Sequence, residues 1–198
     1  NLAIYYYDYT NLQLQSKDSA GAGYILQNAA NAEIYGGELE TTIVPTAGLK
    51  LRAALAYTHA QYKDFPLAQG FFPQPDGGNT VVTLDASGFV MTRAPKWSGN
   101  VGFEWEHDLG AGRMALNGNV SFSSRLYYDF ANNFSQKPYT LSNASLSWTP
   151  ENENWKVAVW ATNLTNEKVF QTMRPGPLSN DGFYEQPRKI GATFEVKF

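Results

Sequence analysis

Six charged side chains recur at alternating positions in three segments and could, by type alone, support acid–base chemistry. Paired carboxylates beside cations occur in hydrolytic sites, but no nucleophile-and-base pair, phosphate-binding loop or general-acid motif accompanies them here. We therefore predict no catalytic residue and no enzyme activity. We predict instead that they line a polar surface that meets water or another part of the protein. The six are Glu38, Glu40, Lys50, Arg52, Glu104 and Glu106.

Metal, cofactor and nucleic-acid chemistry have no support in the sequence. Its two histidines, His59 and His107, fall near opposite ends of predicted strands, and the chain has no cysteine. A metal site needs several converging ligands, so we predict neither a metal site nor a cofactor. The net charge is −3, without a long basic run, so no nucleic-acid partner is expected.

The chain divides into eight strand-like segments whose connections alternate between short turns and long loops. Short turns rich in Gly, Pro, Asn and Asp join the second segment to the third, the fourth to the fifth and the sixth to the seventh. The long connections are 16–27, 64–94, 129–137 and 171–185. Outer-membrane barrels have this layout, with short periplasmic turns and long external loops. The segments are 2–15, 28–44, 48–63, 95–109, 113–128, 138–149, 154–170 and 186–198.

Alternation within the segments predicts one apolar and one polar face. In the last segment Ile190, Ala192, Phe194, Val196 and Phe198 share the apolar face. Aromatic residues make up 15% of the chain and its mean hydropathy is −0.38, which fits a β-barrel with aromatic girdles and not membrane helices. The facing of the first, second and sixth segments is ambiguous. The tryptophans predicted as girdle anchors are Trp97, Trp105, Trp148 and Trp155.

Several motifs, in this order, resemble the closing strands of TonB-dependent outer-membrane receptors. The resemblance implies an all-β antiparallel transmembrane barrel of the 22-stranded, plugged type. Residues 1–198 would supply about its last eight strands, and the plug and earlier strands would precede residue 1. Phe194, Val196 and Phe198 would form the carboxy-terminal barrel signature. The motifs lie at 31–40, 49–57, 93–97, 160–167 and 187–198.

The same resemblance implies function and partners. The protein would lie in the bacterial outer membrane, in contact with its lipid, and import a scarce solute. By this resemblance a ferric siderophore is the commonest solute, and cobalamin, haem or an oligosaccharide are the alternatives. The TonB energy-coupling complex would act through the missing amino-terminal plug. The six charged residues above would then face the lumen and the plug.

Two long loops are the predicted sites of ligand contact, because connections of this length are usually functional or disordered. The alternative for the loop 64–94 is a hairpin that protrudes over the barrel rim without binding a ligand. In the loop 64–94 the candidates are Phe71, Phe72 and Arg93. In the loop 171–185, Arg174 and Tyr184 would suit an anionic, aromatic ligand such as a ferric catecholate, through charge and stacking.

Two other interpretations are compatible with the alternation. A small self-closed outer-membrane barrel, acting as a passive pore or structural protein, requires that residues 1–15 pair with the last strand. A soluble β-sandwich or carbohydrate-binding module requires that the apolar faces be buried inside the protein and that the chain dissolve without detergent.

Overall fold

The computed structural model describes residues 1–17 and 24–197, which form strands, turns and loops. Within these ranges, no helix is long and apolar enough to cross a membrane. The strands are β1 (Leu2–Lys17), β2 (Tyr24–Thr46), β3 (Leu49–Asp64), β4 (Ala68–Pro73), β5 (Asn79–Leu84), β6 (Trp97–Asp108), β7 (Gly112–Ser123), β8 (Leu126–Tyr127), β9 (Ser135–Gln136), β10 (Tyr139–Pro150), β11 (Trp155–Thr162), β12 (Phe170–Pro175), β13 (Asn180–Tyr184) and β14 (Lys189–Val196).

Eight strands form one antiparallel sheet in the order β1-β2-β3-β6-β7-β10-β11-β14. They correspond to the eight predicted segments. Short turns join β2 to β3, β6 to β7 and β10 to β11, and this edge of the sheet is called the turn end. The opposite edge, called the loop end, carries the long connections. In the described residues β1 pairs only with β2 and β14 only with β11, so the sheet is open.

Register settles the facing of the strands that sequence left ambiguous. Leu2 pairs with Leu39, and Leu39 pairs with Leu55 on β3. Farther along the strand order, Leu116 of β7 pairs with Leu146 of β10. Because directly paired residues share a face, the apolar face runs continuously from β1 to β14.

The long connections contain hairpins of their own, of which the sequence suggested only the one in the loop 64–94, as the alternative to a ligand-binding loop. Separate antiparallel hairpins form from β4 and β5, from β8 and β9, and from β12 and β13. The seventh segment was predicted to extend to residue 170, but β11 ends at Thr162. Asn163 then takes a positive φ of 49°, a left-handed conformation that a strand cannot continue through.

The buried core lies at the loop end and not between two layers. Tyr62 and Phe65 are 1% and 2% exposed, and their ring centroids lie 5.1 Å apart. Phe130, from the connection between β8 and β9, packs edge-on against Phe65 at 5.2 Å. Apolar side chains therefore pack the loop 64–94 against the connection between β8 and β9. The cluster comprises Ala32, Tyr62, Phe65, Ala68, Ala86 and Phe130.

Aromatic rings on neighbouring strands cover glycines of the sheet. A β-carbon at Gly118 would lie 2.5 Å from the Phe103 ring, and one at Gly99 would lie 3.0 Å from the Phe122 ring. A ring over a strand glycine fills the space that the missing side chain leaves. Tyr5 covers Gly36 and Trp160 covers Gly191 in the same way.

Candidate ligand surface and membrane-facing wall

The six predicted lumen residues share one face of the sheet. Lys50 pairs with Glu104, and the Arg52 guanidinium forms an ion pair with the Glu104 carboxylate. Both side chains are more than 40% exposed, so this pair adds little stability. The register places Glu38, Glu40 and Glu106 on the same face. That this face lines a lumen stays a prediction.

A row of amides crosses the same polar face, and sequence reasoning missed it. The Asn143 side chain donates to Asn119 Oδ1 at 2.7 Å, and Asn117 Nδ2 donates to Ser145 Oγ at 3.5 Å. These residues and the Arg52–Glu104 pair line an open depression of about 530 Å³. Asparagines at alternate positions of β7 could have indicated the row from the sequence. Which residues of β10 they face is known only from the strand register.

Tryptophans on the apolar face form a band that drifts toward the turn end from strand to strand. Trp105 on β6 is in register with Leu146 on β10 and Val159 on β11. Measured toward the turn end, Trp148 lies two residues from Leu146, and Trp155 lies four residues from Val159. Four residues span about 13 Å along a strand and three strand spacings about 14 Å across the sheet, which gives a tilt of about 40°. Transmembrane β-barrels tilt their strands by about 35–45°.

A second aromatic band lies on the same face near the loop end. Trp97 and Tyr57 pair directly, with ring centroids 4.8 Å apart, and Lys96 Nζ lies 5.9 Å from the Tyr57 ring. Trp97 and Trp105 are eight residues apart, which at this tilt corresponds to about 20 Å along the axis of a barrel. The apolar band of transmembrane barrels is about 25 Å tall. The two bands bracket exposed apolar side chains, among them Val101 at 57% exposure.

Both histidines stack on aromatic rings of the apolar face. His59 lies 4.5 Å from Tyr35 and His107 lies 5.5 Å from Trp105, measured between ring centroids. They are at opposite ends of the sheet, as predicted from the sequence. Among residues 1–17 and 24–197, no group of three or more His, Cys, Asp or Glu side chains is arranged to hold a metal ion.

The closing strand β14 places its apolar residues beside those of β11. Phe194 pairs with Val157, and its ring centroid lies 6.1 Å from that of Trp155. Val196 pairs with Trp155 itself. Phe194 and Val196 thus extend the tryptophan band at the turn end. Phe198, the third residue of the predicted signature, lies outside the described residues.

The candidates in the loop 64–94 differ in accessibility. Phe71, on β4, is only 5% exposed, and its carbonyl accepts a hydrogen bond from Asn133. Its ring offers no free surface, so we omit Phe71 from the proposed ligand surface. Phe72 is 39% exposed. Arg93 is exposed at a positive φ of 59°, and its Nη2 donates to Thr172 Oγ1 at 2.7 Å.

The two candidates in the loop 171–185 lie on opposite faces of the hairpin of β12 and β13. Arg174 pairs with Asp181 and lies over the Phe183 ring at 5.9 Å. Tyr184 follows Phe183 and therefore projects from the other face, where its ring stacks on Phe170 at 4.1 Å. The sequence suggested Arg174 with Tyr184, whereas the structure brings Arg174 and Phe183 onto the Thr172 face that Arg93 contacts.

Asp129 organises the connection between β8 and β9. It is 4% exposed, its Oδ1 accepts from Phe134 N at 2.8 Å, and its Oδ2 is buried without a hydrogen-bond partner among the described residues. Burial raises the pKa of this carboxyl, against backbone hydrogen bonds that lower it. A raised pKa means that burial disfavours the charged form.

We expect Asp129 to make this region more stable as the pH falls. Below its raised pKa the folded state binds a proton that the unfolded chain binds only nearer its ordinary pKa of about 3.9. The Asp129→Asn variant keeps the Oδ1 acceptor and loses this dependence. Urea unfolding at pH 7.5 and at about pH 4, near the ordinary pKa of the carboxyl, should show that the wild-type protein gains stability relative to the variant on acidification. An unchanged difference between the two proteins would contradict this expectation.

Comparisons with known proteins agree with these features. A family model described as TonB dependent receptor-like, beta-barrel, matches residues 1–164. The ferric yersiniabactin uptake receptor FyuA from Yersinia pestis superposes with a TM-score of 0.76 at 16% identity, covering 100% of this chain and 27% of that chain. The siderophore receptor PiuA from Acinetobacter baumannii superposes with a TM-score of 0.72 at 16% identity, covering 98% of this chain and 25% of that chain.

A third solved structure, BauA, the ferric preacinetobactin receptor from Acinetobacter baumannii, has a TM-score of 0.64 at 18% identity and covers 98% of this chain and 26% of its own. The chain thus spans about a quarter of the length of these structures. At such identities the superpositions establish the fold, and the family match covers more than half of the chain. The chain therefore belongs to the TonB-dependent receptors and forms part of their β-barrel.

Proposed function

We propose that the chain is the carboxy-terminal part of an outer-membrane receptor barrel that imports a ferric siderophore by TonB-dependent active transport. The plug and the earlier strands would precede residue 1, and the plug would receive the pull of the TonB complex. The six charged residues of the polar face would line the lumen and contact the plug. The protein would lie in the bacterial outer membrane, with the apolar face against lipid.

The observation that carries the ligand proposal is the face shared by Arg93, Arg174 and Phe183. Two guanidinium groups and an exposed ring offer charge-assisted hydrogen bonds and stacking. Asp181 shares this face, so the two arginines and this aspartate together carry a net charge of +1. These features suit a ligand that is both anionic and aromatic. The three solved receptors above are described as siderophore receptors, which supports the same ligand class.

Members of this family are receptors that transport solutes and are not enzymes, which agrees with the sequence prediction. The alternative of a small self-closed barrel requires pairing between β1 and β14. In the described residues these strands are the two free edges of the sheet. Unpaired strand edges are not tolerated in lipid, so the open sheet favours further strands on both sides.

The ligand proposal predicts a loss of affinity when Arg174 is removed. In the full-length protein, Arg174→Ala should weaken binding of a ferric tris-catecholate complex by about tenfold or more, because a charge-assisted contact is worth about 1.5–3 kcal/mol. Quenching of intrinsic tryptophan fluorescence would measure the affinity. Arg188→Ala, an exposed arginine outside both hairpins, is the matched control and should bind normally. Equal affinities for wild type and Arg174→Ala would refute this role of Arg174.

A further inference from the structure

The tips of the β4–β5 and β12–β13 hairpins are joined through one buried amide. Asn79, the first residue of β5, is 7% exposed, and its Nδ2 donates to Gly176 O at 2.6 Å and to Asn180 Oδ1 at 2.7 Å. Its backbone N donates to Pro177 O at 2.8 Å. These three hydrogen bonds connect residues about one hundred positions apart. The contact set of Gly78, Asn79, Gly176, Pro177 and Asn180 is called the hairpin clasp.

The backbone approach inside the hairpin clasp requires glycine at position 78. Gly78 has a φ of +71°, and a β-carbon there would lie 2.6 Å from Pro177 O. A side chain would therefore be strained by its own backbone and would collide with the opposite turn. In the sequence Gly77-Gly78-Asn79, Gly78 thus allows the backbone to approach Pro177 closely, and Asn79, the next residue, supplies the amide that donates the hydrogen bonds.

The orientation of the Asn79 amide is fixed by its partners. Both atoms facing Nδ2 are oxygens, so a flipped amide would place oxygen against oxygen. In the only orientation that bonds, Oδ1 is buried without a hydrogen-bond partner among the described residues. A buried acceptor left unpaired disfavours the closed arrangement, and opening would hydrate it. The three hydrogen bonds therefore hold the hairpins together, and the unpaired Oδ1 reduces their net stabilisation.

We propose that Asn79 is a positioning residue, which holds Arg174 and Phe183 beside Arg93 by fixing the β12–β13 hairpin at its tip. A second contact, from Arg93 Nη2 to Thr172 Oγ1, fixes the same hairpin nearer its base. A hairpin held at both ends presents its face in one orientation. A ligand that contacts both hairpins would then bind a preorganised surface. This inference rests on the proposed function for its ligand, but the clasp itself does not.

Spin labels can report the clasp without any ligand. The chain has no cysteine, so Asp76→Cys and the exposed Leu178→Cys would place one label at each tip of the full-length protein. Dipolar broadening between the labels should be strong in the parent protein. It should be lost with Asn79→Asp, which has the same size but places a carboxylate oxygen against two acceptors. Asn79→Leu, which removes the polar atoms altogether, should lose it too.

The matched control is Gln74→Ala, because Gln74 Nε2 donates to Thr80 Oγ1 within the β4–β5 hairpin and does not cross to the other. Broadening should persist in that variant. If broadening also persists in both Asn79 variants, the Asn79 side chain does not hold the two tips together and its positioning role is refuted.

The second measurement follows dissociation of a ferric tris-catecholate complex. Asn79→Leu, which adds no charge beside the anionic ligand, should release it about tenfold faster with little change in association, because loss of preorganised contacts acts mainly on dissociation. Misfolding would instead reduce the fraction of binding-competent molecules without changing the rate. Unchanged dissociation in a variant whose clasp is open would overturn the positioning role. If the wild-type protein binds no such complex, the ligand part and the proposed function fail together, while the spin-label spectra still decide the clasp.

Discussion

Val101→Arg should destabilise the barrel by about 2–4 kcal/mol, the cost of an arginine on the lipid face near the bilayer midplane. Val101 lies midway between Trp97 and Trp105 on β6, on the apolar face, and is 57% exposed. A guanidinium there would lie in hydrocarbon, too far from either interface to reach it cheaply. Urea unfolding of the full-length protein in phospholipid vesicles would measure the change.

Two matched variants isolate the effect of position. Asn100→Arg, one residue earlier and on the polar face, should change stability by less than about 1 kcal/mol, because we predict that this face lines a polar, hydrated lumen. Leu109→Arg, beyond the tryptophan band at the turn end, should also cost less than about 1 kcal/mol at the interface. If Val101→Arg were as mild as these two, the apolar face would not meet lipid and the membrane orientation would be wrong.

Asn163→Ala should lower stability by roughly 3 kcal/mol, because one side chain organises the exit from β11. Asn163 is 6% exposed at a φ of 49°, a conformation that favours Asn over Ala. Its Nδ2 donates to Glu167 O at 2.9 Å and Gln186 O at 3.2 Å, and its Oδ1 accepts from Glu167 N at 2.8 Å. Truncation removes three part-buried hydrogen bonds to the backbone, each worth about 0.5–1.5 kcal/mol.

Urea unfolding and limited proteolysis within residues 163–188 would detect the loss, since the Asn163 side chain ties this connection to Gln186. The contact with β10, from Asn163 N to Asn143 Oδ1 at 3.0 Å, is made by the backbone and persists in the variant. Asn152→Ala is the control at the turn end, where Asn152 Oδ1 accepts from Asn154 N on the exposed surface. It should cost less than about 1 kcal/mol. A loss in Asn163→Ala no larger than in Asn152→Ala would show that the connection holds itself without this amide.

The sheet was predictable from the sequence because its determinants are local. Alternation assigned both faces of β3, β6, β7 and β14, and turn residues located three of the reversals. Register supplied the rest, because a strand such as β1, with Tyr5, Tyr6 and Tyr7 in succession, has no alternation to count.

The candidate ligand surface was only partly predictable, because it depends on contacts between distant residues. Arg93 and Arg174 were identified from charge and loop position. Phe183 was missed, and Phe71 was expected to be accessible although it is buried. Neither the burial of Phe71 nor the bond between Asn79 and Gly176 has a signal in local pattern, since both require two loops to fold against each other.

The tilt found from the tryptophan band also sets how much wall this sheet can build. At about 40° each strand occupies about 6 Å of circumference, so eight strands supply an arc of about 50 Å. Closed on itself, that arc would make a tube only about 16 Å across between backbones, which opposing arginine and glutamate side chains would crowd. In a 22-stranded ring of about 140 Å it is roughly one third of the perimeter. Such a ring would be about 44 Å across between backbones, a space that wall side chains cannot fill and that is wide enough to admit a separately folded body.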